Sequence, residues 1–297
     1  MHQPVLIKEV IENLNLEKGI KAIDCTFGQG GHTFAIWEKI KPSGKILAFE
    51  RDPILYEKGN EKIKEQGLEE KIILKNANFV FLEDIFKNER EFEKPQAILF
   101  DLGLSSWHLD ESKRGFSFKN CEPLDMRFNP YGEELTAHEI VNKWEEENLA
   151  GFFKELGEER FAKRIAEKIV TERKNRTIEN TSQLVEIIKT AVPAWYCGKK
   201  IHWATRSFQA LRILVNQELD NLEKSLPQAI EILDKKGRIA VISYHSLEDR
   251  ITKHFFKKQA QKQTIKILTK KPIIPSEEEI EKNPRSRSAK LRVVEKI

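Results

Sequence analysis

Gly28, Gly30 and Gly31 fall within four positions just after an apolar run that ends in Asp24, and two later apolar runs also end on acids, Glu50 and Asp101. A buried strand entering a glycine turn is a place for a nucleotide-like ligand. Glycine permits positive φ and close approach to bare backbone, and the helix that follows presents unpaired N–H groups. Glu50 lies 20 residues beyond Gly30, the separation at which a carboxylate meets a ribose diol. The turn carries no Gly-Lys-Ser/Thr, which argues against a phosphate-binding loop. Thr33 stands where a dinucleotide fold places a third glycine to seat its helix, which weakens a nicotinamide reading without removing it. Enzymes that use S-adenosylmethionine combine a glycine turn for the methionine end, an acid for the ribose and an acid closing strand four beside the reacting methyl. Asp101 supplies the last. An NAD-dependent oxidoreductase on a similar sheet stays open as the alternative.

The elements that must position these groups alternate. Val5, Leu6, Val10, Ile11 and Leu14 at helical spacing predict a short amphipathic helix ahead of the first strand, Lys21 to Thr26. A helix is expected over Thr33 to Ile40, a strand over Lys45 to Glu50, a helix near Ile54 to Gln66, and strands over Lys71 to Lys75 and Gln96 to Phe100. Crossovers of this length imply parallel pairing and a doubly wound α/β sheet. From Leu102 to Tyr131 the periodicity stops, in a stretch too long for an idle loop. Thr136 to Glu139 fits a capping box, and the apolar stripes that follow make about 107 to 205 an inserted helical domain. One long helix from about Ser207 to Pro227, a strand over Arg238 to Ser243, and strands at Ile265 to Thr269 and Leu291 to Val294 complete a seven-stranded sheet.

Hydrophobic residues make up 39% of the 297 residues, enough for a packed core, and no stretch approaches the roughly 18 apolar residues of a membrane span. The N-terminus lacks a basic segment followed by an apolar one, so a cytoplasmic location is expected. Cys25, Cys121 and Cys197 are far apart, with no Cys-x-x-Cys, and no histidine pair has zinc-ligand spacing; neither a disulfide framework nor a metal is expected. Residues 250 to 297 hold 14 Lys/Arg against 5 Asp/Glu, on a body that is mildly acidic. That asymmetry points to a polyanionic partner.

Eight segments in order carry a family resemblance: His2-Gln3-Pro4-Val5-Leu6; Asp24-x-Thr26-Phe27-Gly28-x-Gly30-Gly31-His32; Asp101-Leu102-Gly103-x-Ser105-Ser106; Arg114-Gly115-Phe116-Ser117-Phe118; Leu124-Asp125-Met126-Arg127; Phe208-Gln209-Ala210-Leu211-Arg212-Ile213; Ile242 to Arg250; and Asn283 to Arg292. The chain resembles the bacterial small-subunit ribosomal RNA cytosine-N4 methyltransferases, the RsmH (MraW) family, along its whole length. The resemblance implies a Rossmann-like seven-stranded S-adenosylmethionine-dependent methyltransferase sheet, residues 1–106 and 206–297, with an all-helical substrate-recognition domain inserted at 107–205. It implies methyl transfer to N4 of a cytidine in the decoding region of 16S ribosomal RNA, with the small ribosomal subunit as partner; the sequence leaves the working form open between monomer and homodimer. A module that binds RNA without catalysis is the second alternative, against which Glu50 and Asp101 stand.

By position, the implied cofactor contacts are Gly28, Gly30, Gly31 and His32 at the turn, Glu50 on the ribose, Phe79 near the adenine, Asp101 and His108. The family more often has Asp where Glu50 stands, and Pro-Gln where Trp107-His108 stand. The expected catalytic groups are Asp101, Ser105 and Ser106, which would orient the amine and accept from it, although the two serines also read as a capped turn without chemistry. Asp125 and His245 read as polar ties between insertion and sheet. Trp37 and Trp144 read as core, whereas Trp107, Trp195 and Trp203 lie in or near loops where a base could stack. Phosphate grip is expected from Arg160, Lys163, Arg164, Lys168, Arg173, Lys174 and Arg176, and from Arg285, Arg287, Lys290 and Arg292.

Overall fold

The structure is a computed structural model that describes residues 4–89, 92–198 and 201–297; His2 and Gln3 of the opening motif lie outside the described residues. The chain forms two compact units, Met1–Gly103 with Leu219–Ile297, and Leu104–Glu218. The first begins with α1 (Ile7–Asn13), β1 (Lys21–Asp24), α2 (Gly31–Ile40), β2 (Lys45–Glu50), α3 (Pro53–Glu65) and β3 (Ile72–Asn76). A single 3-10 turn (Phe79–Phe81), α4 (Leu82–Asn88) and β4 (Ala97–Asp101) follow.

The second unit carries α5 (Ser106–Asp110), α6 (Ala137–Lys143), α7 (Glu146–Glu155), α8 (Ala162–Arg173), α9 (Thr181–Ala191), α10 (Ala194–Cys197) and α11 (Thr205–Asn216). Thr136 and Glu139 close the expected capping box at the start of α6. Leu149, Phe153, Ile165, Ile169, Leu184, Ile188 and Leu211 make one buried core. Because Phe208, Leu211 and Val215 of α11 belong to that core, this unit reaches Glu218 rather than stopping near 205. The segment between α5 and α6 has little regular structure yet is tied down. Arg114 Nη1 donates to the carbonyls of Arg127 and Phe128, and Glu122 Oε2 accepts from Gly115 N.

The chain returns to the sheet unit through α12 (Glu218–Ile232), β5 (Arg238–Ser243), α13 (Ser246–Gln261), β6 (Ile265–Ile267), α14 (Glu277–Lys282) and β7 (Lys290–Lys296). The order is β3-β2-β1-β4-β5-β7-β6, with β1 to β5 parallel and β7 antiparallel to both of its neighbours. Successive side chains of a strand point to opposite faces, so Ala22, Ile46 and Ala48 pack with Val10, Ile36 and Ile63 on one side. Ile23, Leu47 and Phe49 pack with Leu82, Leu226 and Phe256 on the other. Strand order reverses between β1 and β4, and the carboxyl ends of strands at such a reversal open a crevice for ligand.

Candidate active site

Asp24, Glu50 and Asp101 end β1, β2 and β4, and each carboxylate is fixed differently. Asp24 is fully buried; its Oδ1 accepts from Thr26 N at 3.0 Å and its Oδ2 from Thr33 Oγ1 at 2.6 Å. The residue that replaces a third glycine therefore pins the first turn of α2 to the end of β1. Between them, Gly28 and Gly30 take φ of 57° and 85°. At Gly30 a Cβ would come within 2.6 Å of Phe34, and at Gly31 within 2.3 Å of Pro4, so the turn is closed to any larger residue. Gly30 is the N-cap of α2 and gives it no side-chain cap, which leaves the first-turn N–H groups to an incoming anionic group.

The Glu50 carboxylate accepts from Gly28 N and from Asp52 N, each at 2.8 Å. Burial pushes its pKa up to about 8, against the two backbone donors that pull it down; the charge of Asp52 adds to the rise. Phe79, in the 3-10 turn after β3, is half-buried and stands edge-on to Phe100 at 5.6 Å.

Asp101 has a side chain 22% exposed and is held at three points. Its N donates to Thr26 Oγ1 at 2.7 Å, its Oδ1 accepts from the Tyr244 hydroxyl at 2.8 Å, and its Oδ2 lies 3.3 Å from His32 Nε2. Burial works against the His32 imidazolium, but the hydrogen bond and charge of Asp101, with Asp24 behind, outweigh it and raise the pKa. For Tyr244, burial and the Asp101 charge push the phenol well above its ordinary range, so it stays a donor. Gly103, at φ 98°, runs its backbone beside the Tyr244 ring, where a Cβ would lie 3.2 Å away. Tyr244 was missed in the sequence. The available signal was that it follows β5, the neighbour of β4.

Gly28, Gly30, Gly31, His32, Glu50, Phe79 and Asp101 thus all belong to the sheet unit, whereas Ser105, Ser106 and His108 belong to the helical unit. Ser105 is the N-cap of α5 and its Oγ lies 2.9 Å from His108 Nδ1; Ser106 is the first residue of that helix. His108 is 3% exposed, with its ring 4.8 Å from Phe128 and 5.2 Å from Phe116. Asp125 makes a two-point pair with Arg127 inside the same unit. His245 is the N-cap of α13 and closes a capping box with Glu248.

The basic clusters are partly spent on structure. Lys290 and Arg292 both pair with Asp249, Lys168 pairs with Glu172, and Arg173 donates to the Val141 carbonyl. Arg160, Lys163, Arg164, Lys174, Arg176, Arg285 and Arg287 remain exposed.

A glycine turn with an uncapped helix end, a buried acid closing β2 and a clamped acid closing β4 at the strand-order reversal are the arrangement expected of a methyltransferase that draws on S-adenosylmethionine. The residues present suit that group: N–H donors for its carboxylate, Glu50 for its ribose and Phe79 for its base. The chain belongs to the MraW methylase family, whose model matches residues 1–297. Among curated relatives, it is 43% identical to a ribosomal RNA small subunit methyltransferase H of Dehalococcoides mccartyi, covering 100% of this chain and 86% of the relative. Proteins of the same name from Clostridium botulinum and Brevibacillus brevis are 42% and 40% identical, each over 100% of this chain and 99% and 98% of their own length.

Proposed function

We propose that the protein is an S-adenosylmethionine-dependent ribosomal RNA methyltransferase that modifies the exocyclic N4 of one cytidine in the decoding region of 16S RNA in the small subunit. The names of the relatives support the substrate class, and the clamp on Asp101 carries the chemistry. No helix among the described residues is long and apolar enough to cross a membrane, which accords with work on ribosomal particles in the cytoplasm.

When bound, S-adenosylmethionine supplies an electrophilic methyl on a sulfonium. The task of the protein is to make a poor nucleophile attack it. The lone pair of the cytosine amine is delocalised into the ring, and attack places positive charge on nitrogen. Asp101 accepts an N–H of that amine, turns the lone pair into line, and takes up charge and proton as the N–C bond forms. The Tyr244 hydroxyl fixes the rotamer of the carboxylate, and the His32 ring faces its other oxygen at 3.3 Å. Gly28, Gly30, Gly31, His32, Glu50 and Phe79 form the cofactor set. We keep Ser105 and Ser106, next along the chain, as assisting groups, and leave His108 out because its ring is enclosed by Phe116 and Phe128. The helical unit takes the part of substrate recognition.

Incubating the protein with small subunits and labelled S-adenosylmethionine, then mapping the product by mass spectrometry, tests the reading directly; label at any other nucleotide or atom refutes it. The clamp has its own test. Tyr244→Phe should lower kcat about tenfold, because the carboxylate loses one of its anchors, while the KM for cofactor stays put. Equal changes in both constants would mean that Tyr244 merely supports the fold. Binding to RNA should weaken steeply with salt, with a log–log slope steeper than about −2 if the exposed cations of the helical unit each neutralise a phosphate. A flat titration would remove them from the interface.

A further inference from the structure

Of the three tryptophans that lie in or near loops, two are used in packing. Trp107 is 7% exposed, and Trp203 stacks on His202 at 3.8 Å, which stacks in turn on Phe118 at 4.6 Å. Trp195, on α10, is 58% exposed. Two neighbouring rings brace it. The rings of Phe161 and Tyr196 each meet it edge-on at 5.9 Å, and the Tyr196 hydroxyl is anchored on the buried Glu159 at 2.9 Å. Burial and that carboxylate push the Tyr196 phenol up to about 12, so the anchor holds its proton throughout the working range.

The surroundings are cationic. Arg164 lies 5.8 Å from the centroid of Phe161, the ring that braces Trp195, and Arg160 and Lys163 are exposed on the same stretch. None of these three is ion-paired among the described residues. An exposed, braced indole beside cations that make no ion pair among the described residues is the composition of a single-strand nucleic-acid platform, in which a base covers the ring and its phosphates meet the charges. A protein partner would also cover the ring, but the cation cluster favours a polyanion.

We propose that Trp195, braced by Phe161 and Tyr196 and flanked by Arg160, Lys163 and Arg164, is a stacking platform for one unpaired base of the RNA substrate. The proposal rests on the reading of the protein as an RNA methyltransferase and adds where the RNA is held. Stacking needs only a π-face, so the platform contributes affinity without selecting the base.

The test compares Trp195→Ala and Trp195→Phe with the wild type in the full-length protein, using a short single-stranded oligoribonucleotide as probe and small subunits as substrate. Trp195→Ala should weaken probe binding about tenfold, the worth of one stacked base, and raise the KM for small subunits more than it lowers kcat. Trp195→Phe should restore most of both. Probe binding should quench tryptophan emission in the wild type and do so far less in Trp195→Phe. Unchanged probe affinity in Trp195→Ala, with quenching retained in Trp195→Phe, overturns the platform even if the enzyme methylates small subunits normally. A raised KM for small subunits with unchanged probe binding overturns it too, since the ring would then dock on protein. Loss of probe affinity in a protein that methylates no ribosomal RNA would sustain the platform and refute the substrate assignment instead.

Discussion

Asp101→Ala should lose about 10²- to 10⁴-fold in kcat, the usual worth of a positioned acid–base group, while its melting temperature moves by no more than about 5 °C. On the proposed reading the rate falls because this carboxylate holds the delocalised lone pair of the acceptor amine in line and takes up its proton as the N–C bond forms. The fold survives because the side chain is 22% exposed and its removal lets water reach the Tyr244 hydroxyl and the His32 ring instead of stranding them. Asp101→Asn separates the two tasks of the carboxylate. An amide oxygen can still accept from Tyr244, so position is kept, but the amide takes no proton and its NH₂ faces the imidazole. If charge is what matters, Asp101→Asn is nearly as slow as Asp101→Ala; if position suffices, it retains most of the rate. Single-turnover methylation of small subunits at saturating cofactor measures this without interference from product release. Turnover of Asp101→Ala within about threefold of wild type would exclude the acid from the chemistry.

The strands that carry the site were legible because they are buried on both faces and read as unbroken apolar runs. The expected bounds of β2 and β5 match the observed Lys45–Glu50 and Arg238–Ser243, and the antiparallel β6 and β7 fall where the last two strands were expected. The single helix expected from Ser207 to Pro227 was not there. Leu211, Val215, Leu219 and Leu222 keep helical spacing across the whole stretch, yet the chain breaks at Gln217, φ 51°, into α11 and α12. The cause is tertiary. The buried Asn216 side chain donates to the Met126 carbonyl and accepts from Phe128 N, fixing the end of α11 to a segment far away in sequence. Nothing in a periodicity of apolar residues records such a tie. Pro227, read as a stop, lies inside α12. Burial of Leu222, Leu226, Ala229 and Ile230 around it outweighs the roughly 3 kcal/mol that an interior proline costs.

Within the site, the glycines and acids were legible by type and spacing, but their mutual engagement was not. Thr33 counted only as a glycine that was missing, whereas its hydroxyl is the group that fastens α2 to Asp24. Tyr244 sits in the Ile242 to Arg250 motif, and its bond to Asp101 spans 143 residues. Lys290 and Arg292 read as part of a phosphate-binding run because charge in a sequence carries no partner. In the fold, both face Asp249, and the basic tail is correspondingly less available to RNA.

Glu50→Gln should weaken cofactor binding about 10- to 100-fold at pH 8.5, and it should also abolish a pH dependence that the wild type shows. In the free protein, burial holds the Glu50 carboxyl near a pKa of about 8, so at pH 7 most molecules carry it protonated. A ribose diol donates to a carboxylate and favours its charged form, so binding must expel that proton. Cofactor affinity therefore rises with pH up to about 8 and levels off above it, and calorimetry in two buffers of different ionisation enthalpy should detect close to one proton released below pH 7. The stability of the free protein runs the opposite way. The unfolded chain ionises this carboxyl near its ordinary value of 4.5, while the folded one keeps the proton until about 8, so stability falls as pH rises between those two values. Glutamine keeps the shape and an acceptor for one of the two backbone N–H groups at Gly28 and Asp52, and has no charge to bury. The variant should accordingly lose less melting temperature than the wild type between pH 6 and pH 8.5 while binding cofactor equally poorly at both. A wild-type affinity that is flat across this range would mean that the ribose does not engage Glu50, and that the acid serves only to hold the glycine turn through Gly28.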